Sequence, residues 1–268
     1  MLMNYKFLIY YIIIFILLGI NHTVIAAQEE PSNISFSIGI EDKRMPYSYL
    51  DENKKPAGIL IDKTQSLCHS LKIKCDFILG EINDLLFQLR ALKIQAVLIQ
   101  DAFVIPSIDK IVLSPPLCKL NPIFIQKKTA SPKNIPEDFT GSIIGVQKAS
   151  SLHIYLLDNY NSLAHLKPYI QLESGVFDLV SGRIDVLFSD EAFFKQRILS
   201  TSLGNKNNPE QLILLDMDAI KIPEPTMTLA FRENDKKYIK LLKDKLSQSK
   251  IKYCSQLVKN IPYISTEN

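Results

Sequence analysis

Ile34-Ser35-Phe36-Ser37-Ile38-Gly39-Ile40 alternates without a break: Ile34, Phe36, Ile38 and Ile40 fall on one side, Ser35, Ser37 and Gly39 on the other. Successive side chains of an extended chain leave opposite faces, so this run predicts a strand with one face in a core. Working outward, a stretch punctuated by Pro and Gly runs from Pro46 to Gly58. Leu60, Thr64, Leu67, Cys68 and Leu71 then recur at helical spacing and predict an amphipathic helix. Cys75–Leu79 reads as a second strand, and Leu85, Leu89 and Leu92 mark a second helix. Ile94–Ile99 is a nearly continuous apolar run, as expected of a strand covered on both faces. Strands alternating with helices need crossover connections, so the order implies an α/β fold with a largely parallel sheet.

The same order then restarts. Ser142–Val146 reads as a strand, Ser151–Leu157 as the start of a helix, Ile184–Ser189 as a strand and Glu191–Leu199 as a helix. The polar, Pro-containing stretch Ser131–Asp138 predicts a surface connection inside this second series, and a crossing between the two series is expected near Asn121–Lys127. The last third adds a strand at Met227–Phe231, a helix at Lys236–Leu246 with Ile239, Leu242 and Leu246 on one face, and a short helix at Ile251–Val258.

Lys6 followed by the apolar run Phe7–Ile20, and then by Val24-Ile25-Ala26, has the layout of a secretory signal, with cleavage expected after Ala26. The run falls short of the roughly 20 residues that span a hydrocarbon core. Residues 27–268 are expected to be a soluble periplasmic protein and a monomer. The formal net charge is only +3, with basic residues spread along the chain, so nucleic acid is not an implied partner. Histidines lack ligand spacing, and neither a metal nor a cofactor is expected. Cys68 and Cys75, exported into an oxidising space, are expected to pair. Cys118 and Cys254 stay open between a second bridge and two buried thiols.

The phrases Ile38-Gly39, Met45-Pro46-Tyr47, Gly58-Ile59-Leu60-Ile61-Asp62, Leu67-Cys68 with Cys75, Leu92-Lys93-Ile94-Gln95-Ala96, Gly145-Val146-Gln147 and Ser181-Gly182-Arg183-Ile184-Asp185 before Asp190 follow one another in a telling order. In that order the chain resembles the extracellular solute-binding proteins that serve polar amino acid transporters, of the histidine and lysine/arginine/ornithine type. The resemblance implies a periplasmic-binding-protein-like fold, two α/β lobes joined by a two-strand hinge. It implies a first lobe of residues 27–122 and 224–268, a second of residues 123–223, and a ligand cleft between them. Open sheets bind ligands beyond the carboxyl ends of their strands, which agrees with that placement.

Asp190 lies at the outgoing end of a strand, where the resemblance implies an anchor for a ligand α-ammonium; it also reads as an N-cap. Ser150 and Ser151 stand where the family has paired threonines, at a helix start that attracts a carboxylate, and either can simply cap the helix. Glu41, Arg44 and Tyr47 occupy the loop after the first strand, with Arg44 where an aromatic is expected. The largest departure is at Gln100, Asp101 and Ser107: Ser107 takes the place of the arginine that clamps the α-carboxylate, and a serine has no cationic fork. Three readings stay open. Arg44 replaces the lost cation; or the ligand is a cation without a carboxylate, held by Asp190, Asp101 and Glu41; or the cleft is degenerate and serves a sensing or partner-binding role.

The expected function is capture of a small polar amine-bearing solute, an amino acid or a relative, for an inner-membrane ABC permease. A free-standing chain with no appended domain is expected, which favours a transport receptor over a sensor. A cyclohexadienyl dehydratase-like enzyme on the same fold is the catalytic alternative, disfavoured by the missing arginine; no enzyme is expected.

Overall fold

The computed structural model describes residues 35–100, 110–130, 137–205, 207–208, 210–215, 222, 224–247 and 250–258. The signal, the 101–109 stretch and residues 131–136 of the expected surface connection lie outside the described residues. In chain order the first series is β1 (Ser35–Glu41), the short hairpin strands β2 (Tyr49–Leu50) and β3 (Pro56–Ala57), α1 (Ile59–Ser70), β4 (Lys74–Gly80), α2 (Ile82–Arg90), β5 (Ala96–Gln100), β6 (Ile111–Leu113) and β7 (Cys118–Lys119). The second is β8 (Pro122–Lys127), β9 (Ile143–Gln147), α3 (Ser151–Tyr160), β10 (His165–Tyr169), α4 (Leu172–Val180), β11 (Val186–Asp190), α5 (Glu191–Phe193) and β12 (Leu212–Leu214). β13 (Thr226–Arg232) and α6 (Lys236–Ser247) close the chain.

Beside the two-stranded β2-β3 sheet, the described strands form two larger sheets, ordered β4-β1-β5-β13-β6 with β7 also on β13, and β10-β9-β11-β8-β12. Each is covered by helices on both faces. In the first, Phe36, Ile38, Ile40, Leu98, Leu229 and Phe231 pack with Leu60 and Leu67 of α1 and with Leu242 and Leu246 of α6. Val97, Ile99 and Ala230 alternate with them and meet Leu85, Leu86 and Leu89 of α2 on the other face. Gly39 sits on that α2 face, where an added Cβ would lie 2.9 Å from both Leu85 and Ile94. The small side of the opening alternation is therefore a seat for a helix. In the second sheet Phe124, Ile144, Val146, Val186 and Phe188 pack with Leu152 and Leu156 of α3, while Ile123, Ile125 and Leu187 meet Leu172 and Leu179 of α4. Each such side chain, fully buried, contributes about 1.5–3 kcal/mol.

The two sheet-plus-helix lobes correct the sequence reading in several places. The sheets are mixed, not largely parallel: β1 pairs in parallel with β4 and β5, but β13 runs antiparallel to β5, β6 and β7. Likewise β8 is antiparallel to both β11 and β12. Pro122–Lys127, where a crossing is expected, is strand β8, and Pro122 pairs with Asp190. Leu92 lies beyond α2 in a left-handed turn, exposed, and is no part of its buried face. The stretch after Glu191 is one α-turn continued by a wider π-turn, Phe194–Ile198. Only Cys254–Gln256 of the expected final helix forms, as a 3-10 turn.

Both cysteine pairs are bridged, Cys68 to Cys75 and Cys118 to Cys254. The second bridge draws the C-terminal turn onto the crossings: Tyr253 donates to Glu224, Lys119 pairs with Glu224 at 2.8 Å, and the Leu120 N–H donates to Pro225 at 2.7 Å. No helix among the described residues is long and apolar enough to cross a membrane.

Candidate functional site

Four strands end at one place. Glu41 closes β1, Gln100 closes β5, Gln147 closes β9 and Asp190 closes β11. These are the outgoing ends of strands that run in parallel within each sheet, the position at which open α/β sheets hold ligands.

From the first lobe the loop after β1 folds back tightly. The Arg44 and Ser48 backbones exchange hydrogen bonds at 2.8 and 3.0 Å, and the Ser48 hydroxyl donates to the Glu41 carbonyl at 2.6 Å. The start of α1 clasps this loop, with the N–H groups of Ile59 and Leu60 donating to the carbonyls of Pro46 and Tyr47, both at 3.0 Å. Only glycine fits before that clasp: Gly58 has φ of +122°, and a Cβ there would stand 2.3 Å from the Tyr47 carbonyl oxygen. The Gly58-Ile59-Leu60 phrase thus positions Arg44 and Tyr47.

Arg44 donates to the Glu41 carboxylate at 2.6 Å, to the Gln100 side-chain carbonyl, and across to that of Gln147 at 3.5 Å. Its Nε is buried and has no partner. Tyr47, also buried, donates its hydroxyl to Asp190 Oδ1 in the opposite lobe. Tyr47 and Arg44 therefore both bridge the two sheets.

Asp190 is buried and its Oδ1 also accepts from the N–H groups of Ala192 and Phe193 at 2.9 and 3.1 Å. Of the two roles read from sequence, the cap of α5 is seen, and the carboxylate stands at the strand end. Burial pushes its carboxyl above the ordinary range, against the opposing pull of the Tyr47 hydroxyl, the two N–H groups and Arg44. Burial, then the neighbouring Asp190, holds the Tyr47 phenol well above its usual value.

Ser150 and Ser151 separate. The Ser150 hydroxyl accepts from the His153 N–H at 3.1 Å and donates to the Gln147 carbonyl at 2.8 Å, so it is the helix cap. The Ser151 hydroxyl is buried without a partner in the first turn of α3. Asp101 and Ser107 lie outside the described residues. Gln147 was missed as a site residue although it ends a strand just as Glu41, Gln100 and Asp190 do; its position was the available signal. Among the described residues no group of His, Cys, Asp and Glu is arranged to hold a metal.

The family model described as bacterial extracellular solute-binding proteins, family 3, matches residues 36–252. The L-arginine-binding protein of Pseudomonas aeruginosa is 26% identical over 174 residues, 62% of this chain and 65% of that protein. The match thus spans just under two thirds of that relative's length. A periplasmic binding protein of Salmonella typhimurium, solved as a case of high arginine specificity, is 20% identical with a TM-score of 0.62, covering 83% of this chain and 96% of that one. The periplasmic VFT2 domain of Bordetella pertussis BvgS is 12% identical with a TM-score of 0.65, covering 81% of this chain and 88% of that one. At those identities both structures speak for the fold alone.

Proposed function

Because this chain belongs to the bacterial extracellular solute-binding proteins, family 3, we propose that it is a periplasmic receptor that captures a small polar amine-bearing solute, an amino acid or a close relative, and delivers it to the permease of an ABC transporter. The observation that carries this reading is the buried Asp190 carboxyl at the meeting point of four strand ends, with its pKa raised by burial. Relatives named for binding arginine, or lysine, arginine and ornithine, point the same way.

In this reading residues 1–26 are removed on export. One lobe comprises residues up to the crossing at Leu120–Asn121 together with the segment from 224 onward; the intervening residues form the other. Asp190 holds the α-ammonium. Of the three readings of the missing arginine, the unpartnered Nε of Arg44 favours the first: Arg44, steadied by Glu41 and Gln100, faces the ligand carboxylate, with the Ser151 hydroxyl as a further donor. Tyr47 and Gln147 close the cleft from either side. Binding is the whole activity, with no chemical step.

Calorimetry and thermal shift against a panel of amino acids, their α-amides and their decarboxylated amines test this. At least one basic or polar amino acid is expected to raise the melting temperature by mass action. Asp190→Asn should weaken that ligand by about 2–5 kcal/mol, the cost of breaking a buried charge pair. Arg44→Gln should cost affinity for the amino acid but not for its decarboxylated amine. A panel with no shift, or an Asp190→Asn protein that binds as the parent does, removes the proposal.

A further inference from the structure

Basic residues are spread along the chain, but one helix outside the strand-end site carries a local surplus. Helix α6 carries Lys236, Lys237, Lys240, Lys243 and Lys245 against a single Asp244, a larger surplus than the +3 of the entire chain. All five lysines are exposed, and Lys250 and Lys252 just beyond are exposed too. Leu242 and Leu246 bury the opposite side of the helix in the first core, with Ile239 packed against it. Lys236, Lys240 and Lys243 thus form a stripe at four- and three-residue intervals, pointing away from the protein.

Two features mark this stripe. The first is density: α6 sets five lysines against one carboxylate, whereas Lys74, Lys119, Lys127, Lys167 and Lys195 each pair with a carboxylate. Among the described residues, none of the five on α6 has an ion-pair partner. Like charges at these intervals destabilise a helix by about 0.2–0.5 kcal/mol each. The second feature is composition. From Lys236 to the end of the described chain every cation is lysine and none is arginine. Arginine supplies a planar fork for one carboxylate or phosphate, whereas lysine is a mobile point charge suited to a diffuse field. Leu241 and Ile251, both exposed, lie among the lysines and can enter a headgroup layer.

We propose that the lysine face of α6 and the Lys250–Lys252 segment hold this protein electrostatically against an anionic phospholipid surface. Such attachment is reversible and strengthens with each lysine brought near the surface. It leaves the strand-end site free, since that site draws no residue from α6, and it confines the search for a membrane partner to a plane.

The test is flotation of residues 27–268, which contain the whole described fold, with vesicles of phosphatidylglycerol and phosphatidylcholine or of phosphatidylcholine alone. Binding to the anionic vesicles only, lost at about 0.5 M salt where charges are screened within a few ångströms, is expected. Neutralising Lys236, Lys240 and Lys243 to Gln should lower the partition coefficient at least about tenfold. Neutralising the exposed Lys54, Lys55 and Lys93 makes the same change in net charge and should leave it within about twofold. Circular dichroism and melting temperature establish that both variants are folded, and single substitutions at the three positions stand in should the triple variant not be. Equal binding to both vesicle types, equal losses in the two variants, or capture by polyglutamate with no vesicle binding would each overturn the proposal.

Discussion

The two halves of the molecule are built on the same unit and finished differently. In one, Gly39 of β1 seats Leu85 and Ile94, and the turn after α2 passes through Leu92 at φ of 62° before Gln95 returns to the sheet. In the other, Gly145 of β9 seats Ile184, and the turn after α4 passes through Gly182 at φ of 71° before Asp185 returns. Even the return is copied: Gln95 accepts from the Ser37 N–H at 2.7 Å, and Asp185 from the Ile143 N–H at 2.8 Å. Beyond the strand ends the halves part. The second runs straight into capped helices, Ser150 before α3 and Asp190 before α5. The first inserts the folded loop clasped at Gly58, and this insertion supplies Arg44 and Tyr47. The scaffold is shared, and the chemistry lies in how each half leaves its strands.

The largest effect expected from breaking this contrast is at Gly58. Gly58→Ala combines a left-handed backbone with a clash against the Tyr47 carbonyl, and should cost about 3 kcal/mol or more in urea unfolding. A cost under about 1 kcal/mol would mean the clasp is loose. The turn pair comes next. Gly182→Leu should destabilise by about 1–2 kcal/mol, the penalty of a side chain in that conformation, while Leu92→Gly should stabilise by up to about 1 kcal/mol, because the exposed leucine has little packing to lose. Urea midpoints of the two variants moving in the same direction would show the turns to be inequivalent.

The smallest effect is on pH dependence. The Asp190 carboxyl is raised in the folded protein, so its neutral form is the one the fold favours. Its contribution to stability is full below the unfolded carboxyl value near 4 and is lost as pH rises through the folded value. Asn keeps the cap and removes the charge, so Asp190→Asn should match or exceed the parent by about 1 kcal/mol at pH 7, with the gap closing toward pH 4. A gap that widens on acidification would place the charge in a satisfied environment. Affinity for an amine runs the other way, falling as pH drops through the raised value.

Much of this was legible because it was local. The alternation at residues 35–40 encodes both faces of β1, and the order of strands and helices encodes the α/β class. What escaped depended on partners distant in sequence. Strand β10 carries Pro168 and pairs at the edge of its sheet, and α4 contains Gly175, so neither has a strong pattern of its own. Leu92 continues a three-residue spacing past the end of α2, where spacing alone cannot register that the chain has turned. The segment at 251–258 looks helical but is tied to β7 through Cys254 and to Glu191 through the Ser255 hydroxyl at 2.7 Å, and these ties leave room for one turn. At the site, Asp190 was readable from its strand, whereas the alliance of Arg44 with Gln147 needed both sheets in place.

One topological fact reaches beyond the folded state. β13 lies between β5 and β6, so residues from near the chain's end are the keystone of the first sheet. Any process that delivers this polypeptide head first leaves that sheet split until Thr226–Arg232 has come through. Until then β4, β1 and β5 have nothing to join them to β6 and β7, and the sheet cannot close.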